Sequence, residues 1–163
     1  MITDYPKIFE DCITVVLKNE GGYVWHKDDP GGETNMGITQ RAYPMEDIKN
    51  LTKDKAIHLY YRDYWLPMEV NRLSDPNLIL AVFDMGVNAG IRRAIKLLQG
   101  IVGAETDGYI GDKTIAAVSQ YAGDIVDEYI KRRKLYYVTL AQEKPALRVF
   151  LRGWLSRVEH TKF

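Results

Sequence analysis

The sequence predicts an all-α, mainly helical fold with a short β-hairpin or glycine-rich loop after the first helix. Apolar residues recur at helical spacing along most of the 163-residue chain. That period fails between residues 21 and 39, where glycine pairs and a proline crowd together. With 46% hydrophobic and 27% charged residues, the chain has the make-up of an ordinary folded domain and enough length to bury a core.

The first helix rests on Phe9, Cys12, Ile13, Val16 and Leu17, spaced i, i+3, i+4, i+7, i+8. Residues 23–25 and 37–39 are the candidate strands of the irregular segment. Thr52 then caps a helix whose stripe is Ile57, Tyr60, Tyr61, Tyr64 and Trp65, and Pro67 is expected to end it. Asp75-Pro76 reads as an N-cap with proline at the first helical position. The helix that follows, residues 77–89, is apolar nearly all round and is therefore expected at the centre of the molecule. A helix over residues 91–99 comes next, and then a turn with Asp107-Gly108 at its tip. Three more helices are expected over residues 113–121, over 124–142, and from Pro145 towards the end. No long linker, low-complexity tract or repeat interrupts the chain.

Lys plus Arg and Asp plus Glu number 22 each, which speaks against a dedicated duplex-DNA binder and leaves no nucleic-acid partner expected. The charge is unevenly spread. Residues 1–85 hold 9 basic and 14 acidic side chains, whereas residues 86–163 hold 13 and 8. The +5 second half would suit an anionic polymer, although a run such as Lys131-Arg132-Arg133-Lys134 is more simply a solvated helix face. The single cysteine, Cys12, allows no internal disulfide and reads as core filler. The N-terminus lacks a basic region followed by an apolar core, so no Sec signal peptide is expected. No apolar run approaches the roughly 20 residues that span a bilayer, so no membrane insertion is expected.

Glu20 carries the chemical interest. It follows Phe9, Ile13 and Val16 by 11, 7 and 4 residues. At about 100° per residue it returns to within about 40° of each, so it continues the apolar stripe. Gly21 can then end the helix with a positive φ. Apolar surroundings disfavour an ionised carboxylate, and the negative end of the helix dipole acts in the same direction. A protonated carboxyl so placed is what a general acid for an ether-like leaving group needs. The bland alternative is a solvated glutamate at a frayed helix end. Asp29, in Asp28-Asp29-Pro30-Gly31-Gly32, is a second carboxylate that a hairpin would return towards Glu20; alternatively it only bonds its own turn. Thr34 and Asn35 follow as groups able to hold a water or the second carboxylate. His26, His58 and His160 lack ligand spacing, so neither metal nor other cofactor is expected.

These residues resemble a known family. Glu20-Gly21-Gly22-Tyr23, then Asp29-Pro30-Gly31-Gly32, then Thr34-Asn35 and Gly37-Ile38-Thr39 closely resemble the muramidases of glycoside hydrolase family 108, which include phage endolysins. Tyr61-Arg62-Asp63-Tyr64-Trp65 is similar to that family's Tyr-Arg-x-x-Tyr-Trp segment, with Tyr64 one place earlier. VFDMGVNAG, AIKLLQ, DGYIGDKT and GWLSRV resemble its later parts, in order.

The resemblance implies a lysozyme-like fold that cleaves peptidoglycan between N-acetylmuramic acid and N-acetylglucosamine. It places the catalytic glutamate at Glu20. It implies a lysozyme-like catalytic lobe over residues 1–88 and a helical C-terminal lobe over 89–163 resembling a peptidoglycan-binding region, expected as one compact unit. Many phage muramidases have eight residues between the glutamate and a following acid, and five more between that acid and a threonine. Asp29 meets the first spacing, while Thr34 follows after four. Tyr23, Trp25, Asn35, Tyr64 and Asn88 are the expected substrate contacts. A monomeric phage or prophage lysin, made in the cytoplasm and reaching the wall through a holin or other release partner, is the implied setting. A non-catalytic wall-binding or secretion-associated protein on the same fold is the alternative.

Overall fold

The computed structural model describes residues 4–25 and 31–163. Helix α1 (Lys7–Glu20) buries Phe9, Cys12, Ile13 and Val16. It stops where predicted, at Gly21 with φ 77°, whose amide donates to the Leu17 carbonyl. Strands β1 (Thr34–Asn35) and β2 (Ile38–Thr39) pair antiparallel, Thr34 with Thr39 and Asn35 with Ile38. Val24 forms an isolated bridge to Thr34, so only part of the expected first strand exists. The two-residue loop between the strands has φ of 51° at Met36 and 79° at Gly37, as a tight primed hairpin turn requires.

Helix α2 (Lys53–Tyr60) starts at Thr52, whose hydroxyl accepts the Lys55 amide. It widens into a π-helical turn (Tyr61–Trp65) and continues as α3 (Leu66–Met68). Pro67 therefore does not stop the helix where expected. It sits inside the last turn, and Glu69, at φ 54°, ends it. The π turn bonds the Leu66 amide to the Tyr61 carbonyl, the i→i−5 pattern.

Helix α4 (Pro76–Ala89) starts at Asp75, whose carboxylate accepts the Asn77 amide. Leu78 through Gly86 are all buried, which makes α4 central as predicted. Phe9, Trp65 and Phe83 meet with ring centroids 5.2–6.1 Å apart and tie α1, the π turn and α4 together. Aromatic contacts of this kind add about 0.5–1.5 kcal/mol each to the burial itself. Cys12 lies within this core, and burial pushes its thiol up to about 12, so it is inert filler as expected.

The second half continues with α5 (Ile91–Val102), α6 (Asp112–Gln120), α7 (Ile125–Glu143) and α8 (Arg148–His160). The Asp107 turn forms as expected. Its carboxylate accepts the Tyr109 amide and Gln99 Nε2, and buried Gln99 accepts the Gly108 amide. One expectation fails in α7. Arg133 does not belong to a solvated basic face, because its side chain is buried at 2% exposure against α4.

Candidate active site

The end of α1 delivers Glu20 to a place where three other parts of the chain converge. Its side chain is 18% exposed. On one side Arg157 of α8 donates Nη1 to Glu20 Oε1 at 2.7 Å. On the other side lies the hairpin turn. A Cβ added at Gly37 would sit 2.6 Å from Glu20 Oε2 and 2.4 Å from the Tyr60 hydroxyl. Only glycine lets the turn approach so closely, and its positive φ requires the same residue. From α2, Tyr60 donates its hydroxyl to the Met36 carbonyl at 2.7 Å and so braces the turn. Burial, then the Glu20 charge, raises the Tyr60 hydroxyl well above its ordinary value, which keeps it a donor.

Arg157 is itself held from behind. Its Nε and Nη2 donate to the two Asp84 oxygens at 3.1 and 2.8 Å. Asp84 also receives Arg133 Nη1 at 2.8 Å and the Thr161 hydroxyl at 3.0 Å. Two acids and two guanidiniums thus form one network running from Glu20 into the core. Burial alone would raise the Asp84 carboxyl, but Arg157 and Arg133 outweigh it and hold the group below the usual carboxylate range. Burial works against the Arg157 charge, yet Asp84 and Glu20 more than offset it.

The other predicted site residues scatter around this centre. Thr34 is half-buried in β1, with its backbone paired to Val24. Asn35 is buried beside it and donates Nδ2 to the Ile48 carbonyl at 3.0 Å, which fixes the hairpin to the following loop. Tyr64 is partly buried in the π turn, and its hydroxyl is raised by burial and by the Glu20 charge. Asn88, near the end of α4, accepts the Tyr137 hydroxyl. Tyr23 and Trp25 are exposed after α1, and Tyr23 donates to Glu33 at 3.0 Å. The expected second carboxylate, Asp29, lies outside the described residues, as does His26.

The sequence reading missed Arg157, Asp84, Arg133, Tyr60 and Gly37 as site residues. Two signals were present. Asp84 is a lone acid in an otherwise apolar helix, which demands a buried partner. Arg157 lies three residues after Trp154 and next to Val158, on the apolar side of the last helix.

This arrangement coincides with what the chain is similar to. Residues 13–90 match the family model described as Glycosyl hydrolase 108, and residues 93–159 match the Predicted Peptidoglycan domain. No match was found among curated proteins. A solved structure, SagA of Brucella abortus, is 36% identical, covering 94% of this chain and 90% of that one with a TM-score of 0.79. The chain belongs to the glycosyl hydrolase 108 family. Family membership makes it a glycoside hydrolase of lysozyme-like fold, and the second match points to peptidoglycan as its target. The matched regions meet at the site, since Glu20 belongs to the first and Arg157 to the second.

Proposed function

We propose that this glycosyl hydrolase 108 protein is an N-acetylmuramidase that hydrolyses the β-1,4 bond between N-acetylmuramic acid and N-acetylglucosamine, with Glu20 as general acid. The observation that carries this reading is the placement of Glu20. It is a partly exposed carboxyl at a helix end, held by Arg157 on one oxygen and fitted against Gly37 by the other. Glu20 would give its proton to the glycosidic oxygen as the bond to the sugar anomeric carbon breaks, and the leaving chain would depart as a neutral alcohol. Positive charge then spreads over the ring carbon and ring oxygen, and water adds at that carbon while its proton passes to a carboxylate of the pair. Asp29 is assigned the second-carboxylate role on the strength of the motif spacing, and Thr34 a supporting one on the resemblance of residues 34–39, its own spacing being one residue short.

Arg157 is assigned the role of positioning Glu20. Burying Asp84 with two guanidiniums costs several kcal/mol per ion before pairing, and well-packed apolar residues of equal volume often hold helices as well. Such a network makes better sense as a means of fixing one carboxyl in one orientation, where small displacements cost rate. We accordingly treat the lobes over residues 1–88 and 89–163 as one working unit. The contact between Glu20 and Arg157, separated by 137 positions, supports this.

A monomeric phage or prophage lysin reaching the wall through a release partner is the setting we favour, on the resemblance of residues 20–39 to phage endolysins. Among the described residues, no helix is long and apolar enough to cross a membrane. The test of the function is mass spectrometry of digested peptidoglycan. New reducing N-acetylmuramic acid ends are expected, whereas reducing N-acetylglucosamine ends or freed peptides would refute the reading.

A further inference from the structure

We propose that a cationic groove beside the Glu20 site, built on Arg92, Arg93 and Lys96, binds the carboxylates of the peptide stem carried by the glycan strand. The inference rests on peptidoglycan being the substrate. The groove has two stretches. The first, about 700 Å³, runs between Tyr43 and Tyr64 on one bank and Gly90, Arg92 and Arg93 on the other. The second, about 470 Å³, keeps Arg92 and Arg93 and adds Lys96 and Tyr136. Tyr64 lies next to the site, because its ring is 5.7 Å from that of Tyr60, whose hydroxyl meets the Gly37 turn beside Glu20.

The charges in this groove are fixed but unmatched. Arg62, Arg72, Arg132, Arg133 and Arg157 all pair with carboxylates. Among the described residues, Arg92, Arg93 and Lys96 pair with none; Arg41, Arg148 and Arg152 share this, but of these arginines Arg92 and Arg93 are the two also held by an aromatic ring and a carbonyl. Arg92 stacks on Tyr109 at 3.4 Å and donates Nη1 to the Gly108 carbonyl at 2.8 Å. Arg93 lies 5.1 Å from the Tyr136 ring and donates Nη1 to the Ala89 carbonyl at 3.0 Å. Each guanidinium therefore has donors to spare. Asp107 feels Arg92 but is engaged by Gln99 and the Tyr109 amide. Asp63, on the facing bank, is already neutralised by Arg62 and bonded by Tyr43.

The location is also unfavourable for the fold. Arg92 and Arg93 sit in the first turn of α5, which holds no acid, and cations there oppose the helix dipole. Ordered cations that weaken their own helix mark a binding surface better than a solvated face. The stem peptide fits them by chemistry and by reach. It hangs from the muramic acid ring, carries free carboxylates, and at about 3.3 Å per residue runs some 13–17 Å. A strand seated at Glu20 thus carries an anion of its own within that length.

Binding tests this with the Glu20→Gln protein and sacculi free of phosphate polymers, either intact or stripped of stems by an amidase. The Glu20→Gln protein should hold intact sacculi about fivefold to tenfold more tightly than stripped ones. Adding Arg93→Glu and Lys96→Glu, both at exposed positions, should abolish that preference without lowering the melting temperature. Equal binding to both sacculi, or a preference that survives the double charge reversal, would overturn the proposal. So would an affinity that falls equally on both, or a preference seen only on walls bearing phosphate polymers. Hydrolysis is measured separately on the parent protein, so its absence would count against the muramidase reading and leave the binding result to stand alone.

Discussion

Gly37 is held to glycine twice, by a φ of 79° and by the nearness of Glu20 Oε2 and the Tyr60 hydroxyl. Gly37→Ala must strain the turn or push the carboxyl aside. We expect a stability loss of about 1–3 kcal/mol in thermal or urea unfolding. A disproportionate loss of turnover should accompany it, and full activity would show that the turn does not set the carboxyl's position. At this scale the direction of Glu20 was legible in the sequence, because one helix period fixes it from Ile13 and Val16, but its company was not: apolar surroundings were expected, and the carboxyl meets the Arg157 guanidinium instead. Gly37 was legible only as part of a motif. Its reason for being glycine lies in a tyrosine 23 positions away, which no local pattern encodes.

At the scale of elements, α4 carries the largest electrostatic commitment. Asp84 faces two guanidiniums with no exposure at all. Asp84→Asn would leave Arg133 and Arg157 short of a counter-charge and should destabilise the protein by about 3–5 kcal/mol. The pH dependence has a definite sign. Asp84 is held below its ordinary carboxylate value when folded, so its contribution is present above the unfolded value of about 3.9. That contribution is lost as pH falls through the still lower folded value. The gap between parent and Asp84→Asn in unfolding free energy should therefore be flat from about pH 7 to 5 and narrow below about pH 4. A gap that widens in acid would mean that the ion pairs are not what stabilises the folded form. The helices themselves were readable from apolar period and caps, as at Thr52 and Asp75. Pro67 misled because a π turn ahead of it let the helix run on, and periodicity does not announce a π turn.

The whole molecule is closed by the contact between its two ends, α1 and α8, at Glu20 and Arg157. Arg157→Lys keeps the charge but loses the fork that grips Asp84 and Glu20 together. We expect turnover to fall about tenfold or more with little change in KM, since the loss is one of orientation. A rise in KM alone would make Arg157 a substrate contact rather than a positioning residue. Charge asymmetry between the halves was visible in the sequence, but not that Arg133 spends its charge on the core or that Arg92 and Arg93 keep theirs for solvent. Those fates depend on which helices pack together.

The most direct test of the account is the digestion of purified peptidoglycan by the parent and by Glu20→Gln, read by mass spectrometry of the products. The account predicts new reducing N-acetylmuramic acid ends from the parent and a fall of at least about a hundredfold in their release by Glu20→Gln, in line with losing a general acid, with the fold unchanged. Equal release of those ends by the two proteins would contradict it.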